Sequence, residues 1–197
     1  MQIQVKSSGG ITVVPSESRL LSLRKVELFG EIDHARACAV FEQLTLLTEE
    51  SAQEPIDLFV NSPGGEIEAG MLIYDLIQGC PAPVRTFCIG RAYSMAAVLF
   101  ASGRDGRFLL PSSKLMLHEP LIERCAGGNA TSIRSLSDSL MDARERMNRL
   151  LALHTGRRMD EIERETAYDH YFTAEQAVGF GLADRILTYR EMIGAGT

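Results

Sequence analysis

Gly90-Arg-Ala-Tyr-Ser94-Met-Ala-Ala97 sets a serine between a β-branched, apolar run, Val84-Arg-Thr-Phe-Cys-Ile89, and a run of small and apolar residues from Met95 to Ala101. The first run reads as a buried strand and the second as a tightly packed helix. A serine at that junction sits at a helix start, where free backbone N–H groups stabilise developing negative charge. An acyl-transfer nucleophile needs such a place, although a serine that only caps the helix would also suit it. A hydroxyl becomes an effective nucleophile when a base takes its proton and a third group orients that base. Of the four histidines, His118 ends the apolar strand Lys114-Leu-Met-Leu117 and precedes Glu119-Pro120, so its side chain can emerge at a strand end. His34, His154 and His170 lie in polar or chain-turning contexts that suit solvent-facing positions. The 26 acidic residues leave the third member open on spacing alone.

Asn61-Ser-Pro-Gly-Gly65 adds a second feature. Two glycines after a strand let the backbone approach a ligand and turn its N–H groups inward, or simply make a strand-to-helix turn. Together with the Met95 N–H, such a loop would form a two-donor oxyanion hole.

The elements that must position these residues alternate. Val26–Phe29, Ile56–Val60 and Val84–Ile89 read as strands, with helices expected over about Ala35–Leu47, Glu66–Ile77 and Met95–Ala101. That alternation implies α/β architecture with crossover connections. Shorter strands are expected around Phe108–Leu110 and Lys114–Leu117, and residues 122–130 have the turn residues of a loop or hinge. The longest helix is expected over about Thr131–His154, stopped by Thr155-Gly156. Its stripe of Ile133, Leu136, Leu140, Met147, Leu150 and Leu151 reads as core or as an oligomer surface. Residues 1–19 are polar and read as a flexible N-terminal arm, leaving 20–197 as one domain.

The 197 residues suit one domain with a real core, and 45% hydrophobic with 23% charged residues is ordinary for a soluble globular chain. A net charge of −6 argues against nucleic acid or an anionic membrane as main partner. No apolar run approaches a membrane span, and the N-terminus lacks a signal-peptide pattern, so a cytoplasmic location is expected. Cys38, Cys80, Cys88 and Cys125 show no metal-ligand or disulfide spacing. No phosphate-binding loop is present, so no cofactor is expected.

Several motifs in order resemble the proteolytic subunit family of the Clp protease, ClpP. These are Asn61-Ser-Pro-Gly-Gly65 with Ala69-Gly-Met71 and Ile73-Tyr-Asp75, then Cys88-Ile-Gly-Arg-Ala-Tyr-Ser94-Met. Leu110-Pro-Ser-Ser113, Met116-Leu-His118-Glu-Pro-Leu121 and His154-Thr-Gly156 follow. Glu163-Arg-Glu-Thr166, Asp169 and Ala174-Glu-Gln-Ala-Val178 with Gly181-Leu182 complete the series, so the match runs from about Leu20 to Leu187. The resemblance implies a catalytic triad of Ser94, His118 and Asp169, with Gly65 and Met95 as backbone donors of the oxyanion hole. It selects Asp169 and not Asp160 or Asp184. It implies a crotonase-like fold of stacked strand-strand-helix units with a protruding helical handle at about 122–155. It also implies seven-membered rings stacked in pairs through the handles, and an ATP-hydrolysing unfoldase of the ClpX or ClpA/ClpC type as partner for unfolded protein substrates. ATP would be used by that partner.

The sequence departs from the family pattern at several places. Tyr168 stands where an arginine usually makes ring-to-ring contacts, while Gly79 and Asp57 stand where aromatic residues usually form the unfoldase-docking pocket. Phe59 keeps one of those aromatics. Tyr93 and Ala96 replace a usual alanine and glycine flanking the serine motif, where bulk would narrow the pocket or change side-chain preference. The hinge is about two residues longer than the common form, and the N-terminal arm lacks the usual axial-loop pattern. These departures leave room for a divergent member that assembles with a paralogous ClpP, including as an inactive or regulatory ring subunit. A phage-type head-maturation protease would use a related triad. A crotonase-fold acyl-CoA enzyme would share the oxyanion hole, but the joint presence of Ser94, His118 and Asp169 disfavours it.

Overall fold

The structure, a computed structural model, describes residues 1–7, 10–121 and 128–194. The segment read as a flexible arm contains a strand pair. β1 (Gln2–Ser7) runs antiparallel to β2 (Gly10–Pro15), in register from Gln2 opposite Pro15 to Ser7 opposite Gly10. Alternation of Ile3, Val5, Ile11 and Val13 with polar residues supplies the period-two pattern that such pairing needs. A short helix, α1 (Ser16–Leu21), follows.

Three strand–helix units come next. β3 (Lys25–Phe29) leads to α2 (His34–Glu50), β4 (Ile56–Ser62) to α3 (Ile67–Gly79), and β5 (Val84–Tyr93) to α4 (Met95–Ala101). The three strands pair in parallel, which requires the crossover helices the sequence pattern supplies. Ile56, Leu58 and Val60 share one face of β4 and are fully buried, and Asp57 on the opposite face is buried as well. Every residue of α4 is buried, so this helix is a core element and not a surface one.

β6 (Arg107–Leu109) and β7 (Lys114–Leu117) add to the sheet, then α5 (Ala130–Thr155), α6 (Met159–Thr166), β8 (His170–Phe172), α7 (Ala174–Phe180), β9 (Arg185–Ile186) and α8 (Tyr189–Gly194). The sheet path is β3-β4-β5-β6-β9, while β7 pairs with β5 and with β8. β5 is therefore shared: Thr86–Cys88 pair with β6, and Arg91–Tyr93 pair with β7. This mixed α/β sheet with its covering helices fits the crotonase-like ClpP fold.

α5 begins where the Asn129 side chain accepts a hydrogen bond from the Ser132 N–H and ends at Gly156 in left-handed conformation. At 26 residues it is about 39 Å long. Its apolar stripe divides in two. Met147 and Leu151 are buried in the core, whereas Ile133 is 54% exposed and residues 130–139 are exposed throughout. Of the expected hinge, residues 122–127, including Cys125, lie outside the described residues. Cys80 and Cys88 are buried free thiols, and burial pushes the Cys88 pKa up to about 12. Among the described residues no helix is long and apolar enough to cross a membrane.

Candidate active site

Strand register brings the chemistry together. β5 does not stop at Ile89, as the apolar run suggests, but continues through Tyr93. Between the pairs Val60–Cys88 and Ser62–Ala92 the register with β4 shifts, so β5 carries extra residues at Gly90. Gly90 has φ +120°, and its N–H donates to Ser113 Oγ at 3.1 Å. This bulge re-aims the strand end from β6 to β7. Tyr93 then lies beside Met116, and the Ser94 N–H donates to the Met116 carbonyl at 2.9 Å.

β7 and β8 are antiparallel with Leu117 opposite His170. The next positions outward are His118 and Asp169, one at each strand's end, which explains why residues 51 apart in sequence meet. His118 Nε2 is 2.8 Å from Ser94 Oγ, and His118 Nδ1 is 3.2 Å from Asp169 Oδ1. The Asp169 side chain is 57% exposed and that of His118 only 15%.

Ser94 does not cap α4. Its backbone has φ +53° and ψ −126°, and its side chain makes no capping bond. A non-glycine residue in that conformation is strained, and here the turn presents Oγ to His118, as in a strand-to-helix nucleophile elbow. The Ala97 N–H donates to the Ser94 carbonyl, while the Met95 N–H has no partner among the described residues.

The Gly65 N–H is likewise without a partner among the described residues. The loop holding it is fixed from behind: the Ile32 N–H donates to the Gly64 carbonyl and the Glu66 N–H to the Ile32 carbonyl, both at 2.8 Å. A Cβ on Gly65 would lie 2.2 Å from the Ile32 carbonyl oxygen, so only glycine fits there. Gly64 abuts the elbow, since a Cβ on it would lie 2.8 Å from Ser94 Cβ. Gly65, Ser94, Met95 and His118 share the wall of a cleft of about 580 Å³, closed on one side by Leu136, Leu140, Met147 and Leu151 of α5.

The remaining histidines stand apart. His34 sits 3.6 Å from Cys38 on α2, and His170 stacks on Phe172 and pairs with Glu165. His154, expected to face solvent, is half-buried with Nε2 3.0 Å from the Tyr74 hydroxyl. Burial, then the charge of Arg107, lowers its pKa. Asp160 and Asp184 pair with Arg158 and Arg107, away from His118. Among the described residues no cluster of His, Cys, Asp and Glu could hold a metal.

Tyr93 and Ala96 are not among the residues that line the cleft. Tyr93 packs edge-to-face on Tyr171 across the strands, and Ala96 is fully buried. Asp57 is buried against Arg85 at 2.6 Å. Burial raises its pKa against the opposing pull of that guanidinium. Phe59 stacks on Phe87, Gly79 borders open space, and Tyr168 is 85% exposed.

Sequence spacing carried no sign of the support behind the site. The Glu119 N–H donates to the Thr166 carbonyl at 2.8 Å, and the Thr166 hydroxyl lies 3.2 Å from Asn148 Oδ1 on α5. Arg144 Nε approaches Glu119 Oε2 to 2.8 Å, close for a charge pair although off the axis of a hydrogen bond. These contacts run from α5 to the residue after His118. They join elements that no local pattern links.

A model of the Clp protease family matches residues 8–190 of the 197. The match takes in all three strand–helix units, the elbow at Ser94 and both strand ends that carry His118 and Asp169, and the chain belongs to the Clp protease family.

Proposed function

We propose that this protein is the proteolytic subunit of an ATP-dependent Clp protease, a serine endopeptidase that cuts unfolded polypeptides into short peptides inside a ring-shaped chamber. Family membership supports a peptidase of ClpP type. The observation that carries the catalytic assignment is the 2.8 Å approach of His118 Nε2 to a Ser94 Oγ that caps nothing.

In this reading His118 Nε2 removes the Ser94 hydroxyl proton as Oγ bonds to the substrate carbonyl carbon, and the carbonyl π pair moves onto oxygen. The Gly65 and Met95 N–H groups receive that oxyanion. Collapse breaks the C–N bond, and His118 returns its proton to the leaving amine. Water enters and gives a proton to His118 as its oxygen attacks the acyl ester. Collapse breaks the C–Oγ bond, His118 returns that proton to Ser94 Oγ, and the acid leaves. Asp169 holds His118 in the tautomer with Nδ1 protonated and supports the imidazolium. Every proton in this scheme is carried by Ser94, His118, the substrate or water.

Exposed apolar residues on the first half of α5, Ile133 and Met141 among them, suit a contact between rings. Seven-membered rings stacked in pairs would enclose the cleft, and a partner unfoldase of the ClpX or ClpA/ClpC type would supply ATP hydrolysis and unfolded substrate, in the cytoplasm. The test is light scattering across a sizing column, with a fluorogenic peptide assayed in every fraction. Activity confined to a particle of about fourteen subunits, and lost in Ser94→Ala, is the expected outcome. Activity retained by Ser94→Ala would overturn the assignment.

A further inference from the structure

We infer that the cleft selects peptides carrying lysine or arginine close to an apolar residue, through the carboxylates of Glu31, Glu66 and Glu68. The inference rests on the reading of this cleft as the peptide-binding site.

The wall has two chemistries. Its floor is apolar, made by Met95, Val98, Met147 and Leu151, while Glu31, Glu66 and Glu68 line the same cavity as Ser94 and His118. No lysine or arginine is among the lining residues. All three glutamates are exposed, and none has a cationic group within ion-pair distance among the described residues. Glu119, the acidic residue nearest His118 in sequence, differs because Arg144 stands against it.

Two of the three glutamates sit next to a backbone bridge. Ile32 and Gly65 form a parallel bridge, with hydrogen bonds from the Ile32 N–H to Gly64 and from the Glu66 N–H to Ile32. Glu66 follows Gly65 in the loop that presents the Gly65 N–H, and Glu31 precedes Ile32 in the β3–α2 connection that the bridge pins against that loop. Glu68 follows in the first turn of α3. A peptide whose carbonyl reaches Gly65 therefore passes unpaired carboxylates within a few residues of the scissile bond. A cationic side chain there regains, as an ion pair, part of the hydration it gives up, whereas an acidic one meets repulsion. Three partly screened charges acting together correspond to about a tenfold preference at low salt.

The test uses three fluorogenic peptides with the same apolar residue at the cleavage position, flanked by lysines, alanines or glutamates. They are compared on the full-length protein and on the triple variant Glu31→Gln, Glu66→Gln, Glu68→Gln. The wild-type kcat/KM ratio of lysine to glutamate peptide is expected near tenfold at low salt, falling to about twofold or less at high salt and in the triple variant. A wild-type ratio near one, or a ratio that survives the triple substitution, overturns the proposal. Fluorescence anisotropy of the labelled peptides on Ser94→Ala reads the same ratio in Kd without turnover. A lysine preference there, with no Ser94-dependent hydrolysis of any peptide by the wild type, would uphold the selectivity and remove the peptidase reading instead.

Discussion

The Met95 side chain occupies the space over Gly70, where a Cβ would fall 2.3 Å from its Cγ and 2.8 Å from its Sδ and Cε. The helix that carries the proposed oxyanion donor thus packs on α3 at a glycine. Gly70→Ala forces Met95 to another rotamer and shifts the start of α4. Because methionine is flexible, the stability cost is expected to be small, about 1–2 kcal/mol. Peptidase kcat should fall about tenfold with KM little changed. Urea denaturation read beside peptide kinetics separates the two effects.

Gly65→Ala is expected to be more severe for activity. The new methyl group would press on the backbone of Ile32, which is fully buried and cannot give way. The loop must move, and the oxyanion loses a donor, which typically costs about 10²–10³ in kcat. Fluorophosphonate labelling of Ser94 should slow in parallel, and normal labelling would remove Gly65 from the oxyanion hole.

Asp169→Asn tests the third member. Its side chain is more than half exposed and its loss leaves no buried charge unpaired, so the melting temperature should stay within a few degrees. The amide offers His118 Nδ1 a donor as readily as an acceptor and so favours the wrong tautomer, and kcat should drop by about 10²–10⁴. Equal activity of the variant would assign the aspartate a structural role only.

His154 gives a pH dependence of stability with a definite sign. Its pKa is lowered in the folded protein, by burial first and by Arg107 second, from an ordinary value of 6.5. The unfolded chain therefore binds a proton more readily, and stability present above pH 6.5 is lost as the pH falls toward the folded pKa. Urea midpoints at about pH 7.5 and about pH 5.5 should differ in that direction. The difference should shrink in His154→Gln, which cannot titrate, although that variant loses about 1 kcal/mol at neutral pH with the Tyr74 hydrogen bond.

Much of this protein was legible in the chain itself. Alternating apolar runs and helical periods marked β3 through α4, because parallel strands and their crossovers each leave a local hydrophobic period. Gly156 after a long amphipathic run marked the end of α5. The ordered motifs around Ser94, His118 and Asp169 pointed to the family. Other features had no clear local sign: residues 2–15 pair as a hairpin, and Tyr93 packs on Tyr171.

What only the tertiary structure decided is where separate segments meet. The Gly90 bulge and the pairing of Leu117 with His170 bring Ser94 and Asp169 within hydrogen-bond reach of His118. The Ile32–Gly65 bridge carries Glu31 to the same cleft, and the Thr166–Asn148 contact links α5 to the strand end at His118. Strand register and contacts between distant segments depend on how whole elements pack, and no period within a single element encodes them.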